Sequence, residues 1–293
     1  MAAPLIRKLA IFGVGLIGGS FAMALKKAGA VGEVVGVGRG AANLEEALRR
    51  GVVDRVVSVA EALAGADFVL LAVPVGQMPA VMAAISPHLA ADAVVSDAGS
   101  TKEDVVGCAR QHLANHLDRF VPAHPIAGAE KTGAAAASAG LFQGRNVVLT
   151  PLPENIPQAV EKVKTAWDAC GAVVREMTPP AHDAVFAAVS HLPHLLAFAL
   201  VDDIAAKANA EELFSYAASG FRDFTRIAGS SPEMWRDVSL ANRAALVREL
   251  DAYRARLDIL RSALANGDAA TLEGIFTRAS RARNAWVTGD SKQ

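Results

Sequence analysis

His124-Pro125-Ile126-Ala127-Gly128-Ala129-Glu130 sets a histidine and a carboxylate on a stretch punctuated by proline and glycine, directly after the apolar run Phe120-Val121-Pro122-Ala123. The ordinary pKa of an imidazole lies close to neutrality, so His124 is a candidate general base. Hydride abstraction from a carbinol needs such a base within hydrogen-bond reach, because the oxygen left behind must lose its proton. A loop histidine can equally do no more than tie down a turn, and taken alone that is the better reading of His124.

His124 has company. Asp97-Ala98-Gly99-Ser100-Thr101-Lys102 follows the preceding predicted strand, and Ser100 can offer a hydroxyl to a ligand from the same rim. Ser100 with Glu103 also spells an S-x-x-E capping box, so it is equally a helix start. Farther on, Ser190-His191-Leu192-Pro193-His194 interrupts an apolar helix, and burying its two imidazoles demands a partner for each. The stretch from Gly220 to Asp237 then gathers Arg222, Arg226, Trp235 and Arg236 with two aspartates. Surface ion pairs would explain this crowding, and so would a dicarboxylate ligand, which guanidinium groups bind through paired hydrogen bonds.

These groups need a platform and a redox partner. Gly13-Val14-Gly15-Leu16-Ile17-Gly18 follows a predicted strand and opens a predicted helix, the setting in which this spacing holds a dinucleotide pyrophosphate. Gly13, Gly15, Leu16, Ile17 and Gly18 are the candidate contacts, with Val73 and Pro74 after a neighbouring strand. About 20 residues beyond Gly18, where an acid ordinarily takes the ribose hydroxyls, stand Gly38 and Arg39. Without that carboxylate nothing repels a 2′-phosphate and Arg39 can bind one, so the cofactor is NADP or NAD, with NADP at least tolerated.

Apolar runs at 8–12, 33–37, 68–73, 93–96, 119–122, 146–150 and 172–176 alternate with helical patterns at 16–27, 44–50, 78–85, 103–114 and 157–170. Their continuous rather than alternating apolarity fits strands buried on both faces, so a doubly wound α/β domain with a mainly parallel sheet is expected over residues 1–178. Pro179-Pro180 stops the pattern, and residues 179–293 show only helical spacing, at 181–206, 211–218, 232–265 and 269–286. There Leu240, Leu246, Leu250, Leu257, Leu260 and Leu264 form a stripe too apolar for a small domain to bury, and a homodimer through this half is expected.

The chain of 293 residues carries a formal charge of −1 with no long basic run, which argues against nucleic acid as a partner. Hydrophobic residues make up 52% of it, but alanine supplies much of that share and favours packed helices. The best membrane candidate, 184–201, contains Ser190, His191, Pro193 and His194, so a buried helix explains it better. No signal-peptide pattern precedes the first strand, and a cytoplasmic location is the expectation. Cys108 and Cys170 lack CxxC spacing and suggest neither disulfide nor zinc.

Taken together, GVGLIGGS at 13–20, DAGSTK at 97–102, HPIAGAEKTG at 124–133, VSHLPH at 189–194 and GFRDFTRIAGSSPEMWRD at 220–237 resemble the prephenate and arogenate dehydrogenases of tyrosine biosynthesis over almost the whole chain. The resemblance implies a Rossmann-type domain followed by an all-α dimerisation domain. It implies oxidative decarboxylation of prephenate to 4-hydroxyphenylpyruvate, or of arogenate to tyrosine, with hydride passing to the nicotinamide. Carried onto matching positions, His124 accepts the hydrogen bond of the ring hydroxyl and Ser100 orients that hydroxyl and the nicotinamide. Arg226 binds a substrate carboxylate and His194 lines the pocket, while Arg222, Glu130 and Trp235 fall in matching motifs.

Two departures stand out. Many NAD-using members have an aspartate where Gly38 stands, and the chain ends soon after Trp286, so no appended mutase or regulatory domain is expected and any tyrosine inhibition must act at the active site. Two rivals remain. A β-hydroxyacid-type dehydrogenase would need a lysine on a helix of the second domain, where only Lys207 precedes the tail. A non-catalytic NADP-binding sensor would leave His124, Ser100 and Arg226 without a task.

Overall fold

The computed structural model describes residues 3–128 and 132–289. The first strand, β1 (Ile6–Phe12), runs through the glycine turn into α1 (Leu16–Lys27), followed by β2 (Val31–Val37), α2 (Ala41–Arg49), β3 (Arg55–Val56) and α3 (Val59–Leu63). Then come β4 (Phe68–Leu71), α4 (Met78–Ile85), β5 (Val94–Asp97), α5 (Glu103–His112) and β6 (Phe120–Val121). These strands form a six-stranded sheet in the order β3-β2-β1-β4-β5-β6, parallel throughout.

Continuous apolarity has the predicted cause. Along β1, Leu9 and Ile11 enter the core on one face while Ala10 and Phe12 enter the core on the other, and β4 divides Phe68 and Leu70 from Val69 and Leu71 in the same way. Phe21 and Phe142 pack on Trp167 with ring centroids 4.5 and 5.1 Å away, anchoring the first core. Each such fully buried aromatic is worth roughly 1.5–3 kcal/mol over its exposed state.

The expectation of a single sheet needs correction. Residues 123–125 form a strand, β7 (Ala123–Pro125), antiparallel to β8 (Asn146–Leu149), which after α6 (Pro157–Ala169) pairs in parallel with β9 (Val173–Glu176). Pro122 breaks the run, so β6 stays in the large sheet while β7 turns into a three-stranded one. His124 is therefore a strand residue opposite Val148, and its backbone is held more rigidly than a loop would hold it.

Helices follow from Thr178 onward. The Thr178 hydroxyl accepts a hydrogen bond from the Ala181 amide, and Pro179-Pro180 occupy the first turn of α7 (Pro179–Phe186), where no amide hydrogen is needed. The prolines thus begin this helix as well as ending the sheet pattern. A π turn over Ala187–His191 leads into α8 (Leu192–Ala205), then α9 (Ala210–Ser215), α10 (Ser219–Thr225) and α11 (Pro232–Ala241). By length and composition the run Pro179–Ala205 could cross a membrane, and only 28% of its most apolar window is buried within the chain. The single chain therefore does not bury this helix as expected: Val185 and Val189 are exposed.

The chain packs as two units, Met1–Arg243 and Ala244–Gln293, so α7 to α11 belong to the same unit as the sheets. The second unit is a hairpin of α12 (Arg243–Asn266) and α13 (Ala269–Thr288), whose turn is closed by the Asp268 carboxylate accepting from the Thr271 amide at 3.0 Å. Its exposed side chains include Val247, Leu257, Leu264, Phe276 and Trp286.

Candidate active site

At the switch in strand order the ends of β1 and β4 meet, the place where open α/β sheets bind ligands. Gly13 has φ +96°, and a Cβ there would lie 2.4 Å from the Ala72 carbonyl oxygen and 3.1 Å from Val73. A Cβ on Gly18 would meet the Gly13 carbonyl oxygen at 2.4 Å, so this glycine lets α1 pack on the turn. Gly15 differs, since a Cβ there would meet nothing within 4 Å, and as N-cap of α1 it offers no side-chain cap to the helix amides. Free space in front of uncapped amides at a positive helix end fits a pyrophosphate. Leu16 and Ile17 begin α1, and Pro74 follows Val73 past β4. The Gly13 amide donates to the Val37 carbonyl at 2.9 Å, which ties the turn to the end of β2 just before Gly38 and the exposed Arg39.

Two strands along the same edge of the sheet, the Asp97 carboxylate organises the rim. It accepts from the Gly99 amide at 2.7 Å and the Ala123 amide at 3.1 Å and pairs with the ammonium of Lys102, both side chains being fully buried. The Ser100 loop and the residue before His124 thus hang on one carboxylate. Ser100 does not cap α5. The Asp183 carboxylate does, accepting from the Lys102 amide at 2.8 Å and the Glu103 amide at 2.9 Å across 81 and 80 residues of sequence. An ionised group outcompetes a hydroxyl for those donors, so Ser100 is left partly buried on the rim.

His124 is not alone either. Its Nδ1 lies 2.8 Å from Nε2 of His182, whose Nδ1 lies 2.7 Å from Asp183 Oδ1, and Phe186 packs against both rings at 4.9 and 4.4 Å. Burial, with the nearby His182, Lys102 and His191, holds the His124 pKa well below 6.5. Burial likewise lowers His182, although Asp183 opposes it. For Asp183 burial is outweighed by the donors from His182, Glu103 and Lys102, and its carboxyl stays below the usual range.

The helices supply the opposite wall. Asn242 Nδ2 donates to the Asp183 carbonyl at 2.8 Å and to His191 Nδ1 at 3.1 Å, and burial pushes the His191 pKa down to about 4. His194 donates through Nδ1 to the Ser190 carbonyl at 2.9 Å and stacks on Trp235, with ring centroids 3.6 Å apart. Its pKa is lowered by burial and, among its neighbours, by the positive charge of Arg226. His191 Nε2 and Trp235 Nε1 are buried and find no hydrogen-bond partner among the described residues. With the two rings 6.1 Å apart, two unsatisfied polar atoms so close together suit a ligand with several oxygens.

Of the residues named from sequence, His194, Trp235 and Arg226 come together. His124 is joined to that side through His182, Asp183, Asn242 and His191, and Asp97 holds the Ser100 loop next to the residue before His124. Arg222 is exposed on α10, one turn before Arg226, and Glu130 lies outside the described residues. His182, Asp183 and Asn242 were not singled out, although a His-Asp pair inside an otherwise apolar helical start is a signal.

The family model for the nucleotide-binding domain of prephenate dehydrogenase matches residues 21–176, and that for the dimerization domain of prephenate dehydrogenase matches residues 178–278. The chain belongs to the prephenate dehydrogenase family. It is 36% identical to a cyclohexadienyl dehydrogenase of Zymomonas mobilis, covering 96% of this chain and 97% of the relative. It is also 36% identical to a Bacillus subtilis prephenate dehydrogenase, covering 93% of this chain and 74% of that one. The crystal structure of an Aquifex aeolicus prephenate dehydrogenase in complex with hydroxyphenyl propionate and NAD+ superimposes with TM-score 0.89 at 34% identity, covering 97% of this chain and 99% of that one. As a member of this family of dehydrogenases, the protein is an oxidoreductase.

Proposed function

We propose that the protein oxidises and decarboxylates prephenate to 4-hydroxyphenylpyruvate, with NAD+ or NADP+ as hydride acceptor. The observation that carries this reading is His124: its Nδ1 is occupied by His182, so Nε2 is left to meet a substrate hydroxyl, with the buried, unpartnered nitrogens of His191 and Trp235 on the helical side. Bound at the glycine turn, the nicotinamide supplies the carbon that accepts hydride from the ring carbinol carbon. His124 Nε2 takes the hydroxyl proton as the carbonyl forms. The ring carboxylate then leaves as carbon dioxide, its bonding pair completes the aromatic ring, and His124 returns the proton to the phenolate oxygen. Ser100 orients the hydroxyl and the nicotinamide. Arg226, with Arg222 one turn away, holds a substrate carboxylate, and His194 on Trp235 forms the pocket side.

NADP+ is accepted in this reading because no acid follows β2 at Gly38 and Arg39 stands exposed beside it. Adjoining family models, ending at residue 176 and starting at residue 178, support a module boundary at 178. The description of the second model and the exposed Leu240, Leu264, Phe276 and Trp286 support a homodimer, which we place in the cytoplasm. Steady-state turnover of prephenate and arogenate with each dinucleotide tests the function. Binding of dinucleotide with no turnover of either acid would make the chain a sensor.

A further inference from the structure

His182 and Asp183 belong to no motif that the reaction above uses, yet they lie directly behind His124. The Asp183 carboxylate is 1% exposed and has its acceptor sites filled: Oδ1 receives the Lys102 amide and faces His182 Nδ1, while Oδ2 receives the Glu103 amide. Its carbonyl is fixed as well, by Asn242 Nδ2. A carboxylate so held is an acceptor only, so the hydrogen between it and His182 must sit on His182 Nδ1. Neutral His182 then has a bare Nε2, and the hydrogen across the 2.8 Å contact must sit on His124 Nδ1. The negative charge thus dictates two tautomers in succession. Its last consequence is that Nε2 of His124 carries a lone pair and no hydrogen.

We propose that His182 and Asp183 are positioning residues for the oxidation, acting through His124. They hold its Nε2 as an acceptor and stabilise the imidazolium that exists while His124 carries the substrate proton. The second task is needed because burial, with the buried Lys102 ammonium nearby, disfavours a positive charge on His124. When Nε2 gains the hydroxyl proton, the Nδ1–H···Nε2 bond to His182 strengthens and the charge is shared toward Asp183. When the phenolate takes the proton back, the neutral chain of tautomers is restored. No proton leaves the site, which agrees with a donor chain that ends on a carboxylate already engaged by two backbone amides.

This inference rests on the proposed reaction for its kinetic part and on geometry alone for its tautomer part, so the two are measured separately. Nitrogen-15 NMR of histidine-labelled protein, without substrate, should show His124 with a protonated Nδ1 and an unprotonated Nε2. The opposite tautomer would overturn the proposal whatever the protein turns over. His182→Leu should lower kcat by roughly 100- to 1,000-fold with KM for acid and dinucleotide within about threefold. In His182→Gln the carbonyl can accept from His124 and the amide can donate to Asp183, so it should recover at least about tenfold of that loss. A His182→Leu variant with undiminished kcat, or a folded His182→Gln variant no faster than His182→Leu, would reduce the pair to a structural support. Should neither acid be turned over by the unaltered protein, the proposed reaction fails and the spectrum still decides the tautomer.

Discussion

The imidazole of His194 lies nearly flat on the indole of Trp235, the planes 21° apart and the centroids separated by 3.6 Å. A stack this close joins α8 to α11 at the point where the charge of Arg226 is felt. Trp235→Ala should free the His194 ring and raise KM for prephenate about tenfold or more with kcat less affected, since ground and transition states lose the same wall. An equal fall of kcat and kcat/KM would instead place Trp235 in transition-state stabilisation.

His124→Asn should retain dinucleotide affinity and lower kcat by roughly 100- to 10,000-fold, the range for a lost general base. Turnover at the unaltered rate would remove His124 from the proton transfer.

Arg226→Ala should act chiefly on KM for prephenate, because carboxylate binding persists from ground state to transition state. An unchanged KM would assign the carboxylate to another cation, with Arg222 the first to examine.

The two glycines of the turn should behave differently. Gly13→Ala forces a side chain into the Ala72 carbonyl at a φ of +96° and should destabilise the fold, seen as a lower Tm. Gly15→Ala meets nothing in the protein and should keep the Tm while losing dinucleotide affinity, because the methyl group enters the space offered to the pyrophosphate. Equal losses of Tm would contradict this division.

Arg39→Ala should lower kcat/KM with NADP+ about tenfold or more and leave NAD+ nearly unaffected, one charge-assisted phosphate contact being worth a few kcal/mol at most. Matched losses with both dinucleotides would dissociate Arg39 from the 2′-phosphate.

Acid should destabilise the fold. His191 is neutral in the folded protein, with its pKa depressed from 6.5 to about 4 by burial, so the unfolded chain binds the extra proton first. The resulting stability is fully present above pH 6.5 and is lost as pH falls toward about 4, by about 3 kcal/mol for this group. Tm measured across that interval should fall less steeply in His191→Gln. A superimposable profile would show that other groups govern acid unfolding.

The platform was legible because its signals are local: β1, the glycine turn and α1 succeed one another within 22 residues, and helix α1 lies where its pattern put it. His124 and His194 could be named because motif spacing survives in one dimension. What sequence could not carry was competition over distance. The Ser100-Glu103 pattern reads as a cap, yet a carboxylate 80 residues onward takes the Glu103 amide. The short β7 has no strand signal between two prolines and exists because β8 pairs with it. Likewise His182 and Asp183 followed a proline pair that reads as a stop, and only the returning helix brings them to His124.

The π turn over Ala187–His191 sets the phase of the whole substrate wall. Along a regular α-helix, His194 would stand about 120° around the axis from His182, and His191 would point about 180° away. Absorbing one residue into a wider turn subtracts roughly 100°, which swings both rings back toward the side that His182 presents to His124. The chemistry therefore depends on a count as well as on identities. Inserting a single alanine into α7 between Asp183 and that turn would leave every named side chain in the protein and swing His191 and His194 by roughly 100° relative to His182.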